Sequence, residues 1–288
     1  MPAKAVVLAA GMGSRLCPLT PFVPKEMLPV GGFPAIHHVL SELVAAGVKD
    51  VAVVLSEGKE MIRDYLTAQL SPKGEDACLL SKQRERVLAA LNVTFLTQKV
   101  LLGTAHAVYL ARDFAKDDPL LVVYPDDLLQ IDGHPTCGCA RVMIDLSETS
   151  GDPVVLAGSV PGDKASQYGV LDIKRDGDRH YVTAIREKPK DYAGRTARVM
   201  IGRMVLPPRV VDGITKHRFC DAEGIVPTLA KEASDGRLLA VMHRGVRYDV
   251  GSHKGYLSLL RHTLPKNNKE ALYGERTLSN LSSQDRGT

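Results

Sequence analysis

Residues 4–10, Lys-Ala-Val-Val-Leu-Ala-Ala, run directly into Gly11-Met12-Gly13-Ser14-Arg15. The apolar run reads as a buried parallel strand over Val6–Ala9. Gly11 and Gly13 carry no Cβ, so main-chain N–H groups there can approach an anion directly. Arg15 offers a fork for phosphate oxygens, and Lys25 a point charge. The residues after the turn narrow the fold. A dinucleotide-binding turn needs a small residue at position 16, where this chain has Leu16, and a P-loop needs Gly-Lys-Ser/Thr, which this segment lacks. Both motifs also launch a helix at once. Here Pro18, Pro21, Pro24 and Pro29 keep the chain extended. The pattern predicts a phosphate held in a long wrapping loop; the plainer alternative is a strand, a loop and an ordinary glycine turn.

A chain of 288 residues suits one large α/β domain or two small ones. Its net charge of +4 is mild, its Lys and Arg are scattered, and aromatics make up 5%, which argues against a stacking platform for nucleic acid. No apolar run is long enough to span a membrane and no signal-peptide pattern opens the chain. Five cysteines form no obvious framework, and the expected setting is the cytoplasm. Cys137-Gly138-Cys139, with His134 nearby, reads either as a soft-metal pair or, more simply, as small residues opening a helix.

Strand and helix alternate through the first half. Helices are expected from Ala35 to Ala46, Gly58 to Gln69 and Ala105 to Asp113, between strands at Val51–Leu55, Val93–Leu96 and Leu120–Tyr124. Residues 71–91 read as an insertion ending in a charged helix over Ala77–Leu91. After a helix over Cys139–Leu146, strands follow with little helix between them: Val154–Val160, Gly169–Ile173, Tyr181–Arg186 and Val199–Leu206. A helix over Glu223–Ala233, strands at Leu238–Met242 and Val246–Tyr248, and a helix from Ser252 to Thr263 close the fold. The expected class is α/β: a Rossmann-like mixed, mainly parallel sheet flanked by helices, with a smaller substrate-binding β subregion. One catalytic domain is expected over 1–264, its nucleotide-binding part about 1–135 and its second part about 136–250, before a polar tail at 265–288.

Several polar residues fall where strands end, which is where open α/β sheets collect ligands. Asp126 in Tyr124-Pro125-Asp126-Asp127 reads either as turn chemistry or as a Mg²⁺ ligand beside a phosphate cradle. Asp249 reads either as a second ligand or as a helix cap, although Ser252 is the better cap. Glu187-Lys188-Pro189 sets an acid beside a base, suited to a ligand with hydroxyls and a phosphate. Gln98 can read a base edge in its plane, and Gly103 lets backbone come close to that base; His106 reads as structural.

In this order the segments resemble the sugar-1-phosphate nucleotidyltransferases, over about Ala3 to Leu260. The resemblance rests on Leu8–Arg15, Pro24-Lys25-Glu26-Met27-Leu28-Pro29, Gln98-Lys99, Leu102–Val108, Pro125-Asp126-Asp127, Tyr168-Gly169-Val170, Glu187-Lys188-Pro189, Gly202–Leu206 and Tyr248-Asp249-Val250-Gly251. Lys-Glu-Met-Leu-Pro, the charged insertion and His106 favour the uridylyl branch over the thymidylyl branch. The resemblance implies transfer of a uridylyl group from UTP to glucose 1-phosphate. It implies Ala10, Gly11, Gly13, Gln98 and Gly103 on the nucleotide; Arg15 and Lys25 on the triphosphate; Gly169, Glu187 and Lys188 on the sugar phosphate; and Asp126 and Asp249 on Mg²⁺. It also implies a homo-oligomer. The chain departs from the pattern at Ser14, Cys17, Val250 and Asp221–Thr228, the last bearing on sugar identity and subunit contacts. The other readings are thymidylyl transfer, a catalytically silent sugar-nucleotide-binding homologue, and, from Gly-x-Gly alone, a nicotinamide-dependent oxidoreductase.

Overall fold

A computed structural model describes residues 3–70, 73–130, 138–214 and 224–263. In chain order its strands are β1 (Lys4–Leu8), β2 (Pro29–Val30), β3 (Phe33–Pro34), β4 (Asp50–Leu55), β5 (Asn92–Thr97), β6 (Leu120–Val123), β7 (Asp127–Gln130), β8 (Val154–Pro161), β9 (Gly169–Asp176), β10 (Arg179–Glu187), β11 (Thr196–Leu206), β12 (Leu239–Met242) and β13 (Val246–Asp249). The helices are α1 (Ala35–Ala45), α2 (Glu60–Thr67), α3 (Glu75–Ala89), α4 (Gly103–Leu110), α5 (Arg112–Ala115), α6 (Cys139–Ser150), α7 (Pro208–Asp212), α8 (Val226–Ser234) and α9 (His253–Thr263).

One sheet runs in the order β5-β4-β1-β6-β11-β8-β12-β10-β9. β5, β4, β1 and β6 are parallel, which accounts for their near-continuous apolar sequences. Alternate residues serve opposite faces. Ala5, Val7, Val51, Val53, Leu121 and Val123 join one core with α1, α2, α6 and α9; Val6, Ala52, Val54, Leu120 and Val122 join another with α4, α5, α7 and α8. The result is helix, sheet and helix in three layers. From β11 onward pairing is mostly antiparallel, with β8 and β12 the parallel exception. β9 also touches β11 at Val170 and Val199, curling this second half around a small core of its own that includes Ala165 and Ala197.

The elements differ from expectation in ways that matter for the site. The chain does not simply turn after Tyr124: it re-enters as β7, antiparallel to β13, with Asp127 opposite Asp249. Two apolar residues, Leu128-Leu129, are too short a run to announce a strand. The helix expected over Ala105–Asp113 breaks at Ala111 into α4 and α5. α6 continues to Ser150, where Gly151 at φ +74° ends it. α8 begins at Val226; Asp221–Glu223 lie outside the described residues, as do His134, Cys137 and the tail at 265–288. Cys139 opens α6, its Sγ 3.7 Å from His243 Nδ1. The charged insertion helix, α3, packs on α1, and its Arg84 donates to the carbonyls of Tyr65 and Ala68 at the C-terminal end of α2, where no intrahelical partner exists.

Candidate active site

The glycine loop leaves β1 at the carboxyl edge of the parallel strands. Ala9 N–H donates to Val54 O (3.0 Å), and Ser56 Oγ donates to Ala10 O (2.9 Å), fixing the loop's root to β4. Gly13 takes φ +70°, a conformation costly for other residues, and its carbonyl accepts Thr20 Oγ1 at 2.8 Å. Instead of a helix the loop makes two 3₁₀ turns, at Ser14–Leu16 and Lys25–Met27. Leu16, the residue that rules out a dinucleotide turn, is fully buried and anchors the first. Glu26 anchors the second: it is fully buried, and Lys59 Nζ donates to its Oε2 at 2.8 Å. Burial raises the Glu26 carboxyl above its usual range, even against the charges of Lys59 and Lys25.

Two cations of the loop meet two carboxylates from strand ends. Lys25 Nζ lies 2.6 Å from Asp126 Oδ2. Arg15 forks onto Asp249, at 2.8 Å and 3.3 Å, with its Nη2 also 4.0 Å from Asp126. Burial pushes the Asp126 carboxyl up, but the neighbouring Lys25 ammonium and Arg15 guanidinium, with a backbone hydrogen bond, together outweigh it and hold the group below the usual carboxylate range. Burial likewise pulls Lys25 down, and Asp126 and Glu26 together more than restore it. Both groups are therefore charged at neutral pH.

The carboxylates converge on Gly251. A Cβ there would sit 2.6 Å from Asp126 Oδ2 and 3.1 Å from Asp249 Oδ1, so one point lies within reach of both. Two hard oxygen donors facing one point, beside the glycine loop, fit a divalent cation that takes its other ligands from phosphate and water. Among the described residues no group of three or more His, Cys, Asp or Glu side chains forms a self-sufficient metal cage. Asp127 is turned away from this point. Its Oδ2 accepts Gly202 N–H (2.8 Å) and its Oδ1 accepts Arg247 Nε (2.7 Å).

A cavity of about 610 Å³ opens beside these groups, between the parallel strand ends and the second half of the sheet. Of the residues predicted from sequence, Arg15, Gly103, Asp126, Gly169, Glu187, Lys188 and Asp249 line it. Gly169 and Glu187 are direct cross-strand partners, and a Cβ on Gly169 would come 3.1 Å from Glu187 Oε2. Lys188 pairs with Glu187 at 3.1 Å. Ala10, Gly11, Gly13, Lys25 and Gln98 lie outside the lining; Lys25 is joined to it through Asp126. Gln98 is buried, with Nε2 3.1 Å from both Gly103 O and His106 Nδ1, so that edge of its amide is engaged within the protein. Sequence reasoning missed Thr104, Tyr124 and Arg247, which also line the cavity. For Arg247 a signal existed: two residues before Asp249 on one strand, it must share that residue's face.

The family model described as nucleotidyl transferase matches residues 4–265. The UTP–glucose-1-phosphate uridylyltransferase of Staphylococcus haemolyticus is 31% identical over 263 residues, covering 88% of this chain and 89% of that protein. The protein of the same name from Bacillus subtilis is 30% identical over 264 residues, covering 88% of each. Among solved structures, a UDP-glucose pyrophosphorylase complexed with UDP-glucose superposes with a TM-score of 0.78 at 26% identity, over 91% of this chain and 98% of the other. A UTP-bound enzyme from Acinetobacter baumannii gives 0.76 at 26% identity, over 98% and 99%.

Proposed function

The chain belongs to the nucleotidyl transferase family, and from that premise we propose that it transfers a uridylyl group from UTP to glucose 1-phosphate, giving UDP-glucose and pyrophosphate. The observation that carries the reading is the pair of cation–carboxylate contacts, Lys25–Asp126 and Arg15–Asp249, set beside Glu187-Lys188 at one cavity. The attacking group is a phosphate oxygen of the sugar phosphate, already anionic at neutral pH. It forms a bond to the α-phosphorus of UTP as the bond to pyrophosphate breaks. No general base is required.

The obstacle is bringing two polyanions into line. Arg15 and Lys25 take the triphosphate, and Lys188 takes the sugar phosphate. Glu187, opposite Gly169, accepts hydrogen bonds from sugar hydroxyls in the space that the missing Cβ leaves. Ala10, Gly11 and Gly13 offer main chain to the nucleotide, while Gln98 and Gly103 shape the base site. Asp126 and Asp249 would hold Mg²⁺, whose chemistry is to polarise phosphoryl oxygens and offset developing charge. Without ligands the two loop cations and the two carboxylates neutralise one another. Triphosphate and divalent cation together give each of them a new partner, so neither charge is left bare in a partly buried site. Fixing both reactants in line can contribute on the order of 7–11 kcal/mol for well-oriented groups.

Pyrophosphate release over a matrix of UTP, dTTP, ATP and GTP against several sugar 1-phosphates, with and without Mg²⁺, tests the proposal. The highest kcat/KM is expected for UTP with glucose 1-phosphate. A clear preference for dTTP would move the assignment to thymidylyl transfer. No turnover with any pair, alongside tight UDP-glucose binding, would leave a silent sugar-nucleotide-binding protein.

A further inference from the structure

Arg247 touches both halves of the cavity wall. β13 antiparallel to β7 brings Asp249 opposite Asp127, and Arg247, two residues earlier, shares their face of the ribbon. Its Nε donates to Asp127 Oδ1 at 2.7 Å and its Nη2 lies 2.5 Å from the same oxygen. The other oxygen of Asp127 is committed to Gly202 N–H, at the irregularity in β11. This arm ties together the two strand ends that carry Asp126 and Asp249. On its other side the Arg247 guanidinium lies 4.8 Å from the centroid of the Tyr168 ring. Tyr168 immediately precedes Gly169, and its carbonyl accepts Lys188 N–H at 3.0 Å. The second arm therefore reaches the segment that carries Gly169 and Lys188.

We propose that Arg247 is a positioning residue that couples the carboxylate pair to the sugar-phosphate wall, so that the metal-binding geometry and the seat of the sugar phosphate are set by one guanidinium. The proposal rests on the nucleotidyl-transfer reading above. The guanidinium serves both arms at once: it lies over the Tyr168 ring while Nε and Nη2 both reach Asp127 Oδ1, a fixed fork of donors that a Lys ammonium lacks. Arg247 takes no part in bond making. It acts through Asp127 on the β7–β13 ribbon and through Tyr168 on the Gly169–Lys188 segment.

The test uses Arg247→Met, Arg247→Lys and Tyr168→Leu in the full chain. Three quantities are read for each: Mn²⁺ affinity of the UTP-loaded protein by electron paramagnetic resonance, KM for glucose 1-phosphate, and calorimetric affinity for UMP without metal. Arg247→Met should weaken Mn²⁺ binding and raise the sugar-phosphate KM, each by about tenfold, as loss of a charged hydrogen bond that holds the ribbon in place does. UMP affinity should stay within about twofold, because that ligand needs neither arm. Arg247→Lys should restore most of the Mn²⁺ affinity and leave the sugar-phosphate defect. Tyr168→Leu should raise the sugar-phosphate KM alone. Should Arg247→Met not fold, the other two variants carry the test. Unchanged Mn²⁺ affinity and KM in the variants would overturn the proposal, as would equal losses in all three quantities, which mark general loosening. The unsubstituted protein is assayed first. If it turns over another nucleotide and sugar phosphate, the functional reading fails, and the same measurements with that pair still decide the role of Arg247.

Discussion

Replacing Gly251 with alanine puts one methyl group where the two carboxylates converge, and the structure gives its consequences. The new Cβ would lie 2.6 Å from Asp126 Oδ2, 2.9 Å from Arg15 Nη2 and 3.1 Å from Asp249 Oδ1, whereas ordinary contact begins at 3.4 Å. Arg15 is half exposed and can swing away. Asp126 cannot move as cheaply: its side chain is short, its carboxylate is held by Lys25, and its carbonyl accepts Val250 N–H at 2.8 Å. Its carboxylate must therefore retreat by about 0.8 Å to regain ordinary contact, and misplacement on the order of 1 Å can cost 10²-fold in rate.

The expected outcome for Gly251→Ala is a fall in kcat/KM of about 30- to 100-fold, equivalent to roughly 2–3 kcal/mol of lost transition-state stabilisation. Global stability should fall by about 1–3 kcal/mol, the cost of overpacking against Asp126, offset in part because Gly251 lies outside the left-handed region and alanine restricts the unfolded chain by about 0.4–1 kcal/mol. Pyrophosphate release at saturating Mg²⁺ measures the first quantity and urea denaturation the second. Gly138→Ala is the matched control, since a Cβ there meets nothing within 4 Å. A Gly251→Ala rate within twofold of the parent would refute the reasoning, because it would mean that the position of Asp126 is not critical.

Glu187→Ala should raise KM for the sugar phosphate by about tenfold with little change for UTP, the loss of one or two charged hydrogen bonds; steady-state kinetics decide it, and a change confined to UTP would refute the role. His37, 4% exposed, is stacked on Phe33, and burial lowers its pKa from 6.5 to about 4. The neutral form is favoured by folding, so its contribution is complete above pH 6.5 and is lost as pH falls toward 4, by about 3 kcal/mol in total. The stability difference between the parent and His37→Gln, from urea denaturation at each pH, should shrink by that amount across this window, and a constant difference would count against it. Glu42→Gln breaks the buried pair with Arg203, whose guanidinium also donates to the carbonyls of Tyr124, Gly202 and Asp127. A loss of about 3–5 kcal/mol is expected in urea denaturation; a loss below 1 kcal/mol would show that the three carbonyls suffice for Arg203.

The parts of the site that the sequence made legible are those whose chemistry is local. The apolar run of β1, the glycines after it and the prolines that forbid a helix all act within a few residues, and Leu16 at a position that calls for glycine separates this loop from its commoner relatives. The same holds for residues at strand ends, because the end of an apolar run can be read without knowing its neighbours. What stayed hidden depends on pairing between distant segments. β7 is four residues long and exists as a strand because β13 is there to receive it. Asp126 and Asp127 are adjacent carboxylates with nothing local to tell them apart. Long-range contacts tell them apart: Asp127, opposite Asp249 in the ribbon, is taken up by Gly202 and Arg247, while Asp126 is paired with Lys25. Arg203 is similar: in sequence it is a charge inside an apolar strand, and its burial is supported by Glu42, brought from α1, together with the carbonyls of Tyr124, Gly202 and Asp127. The glycine turn thus raises the expectation of a bound anion, while long-range ion pairs decide how each carboxylate is engaged.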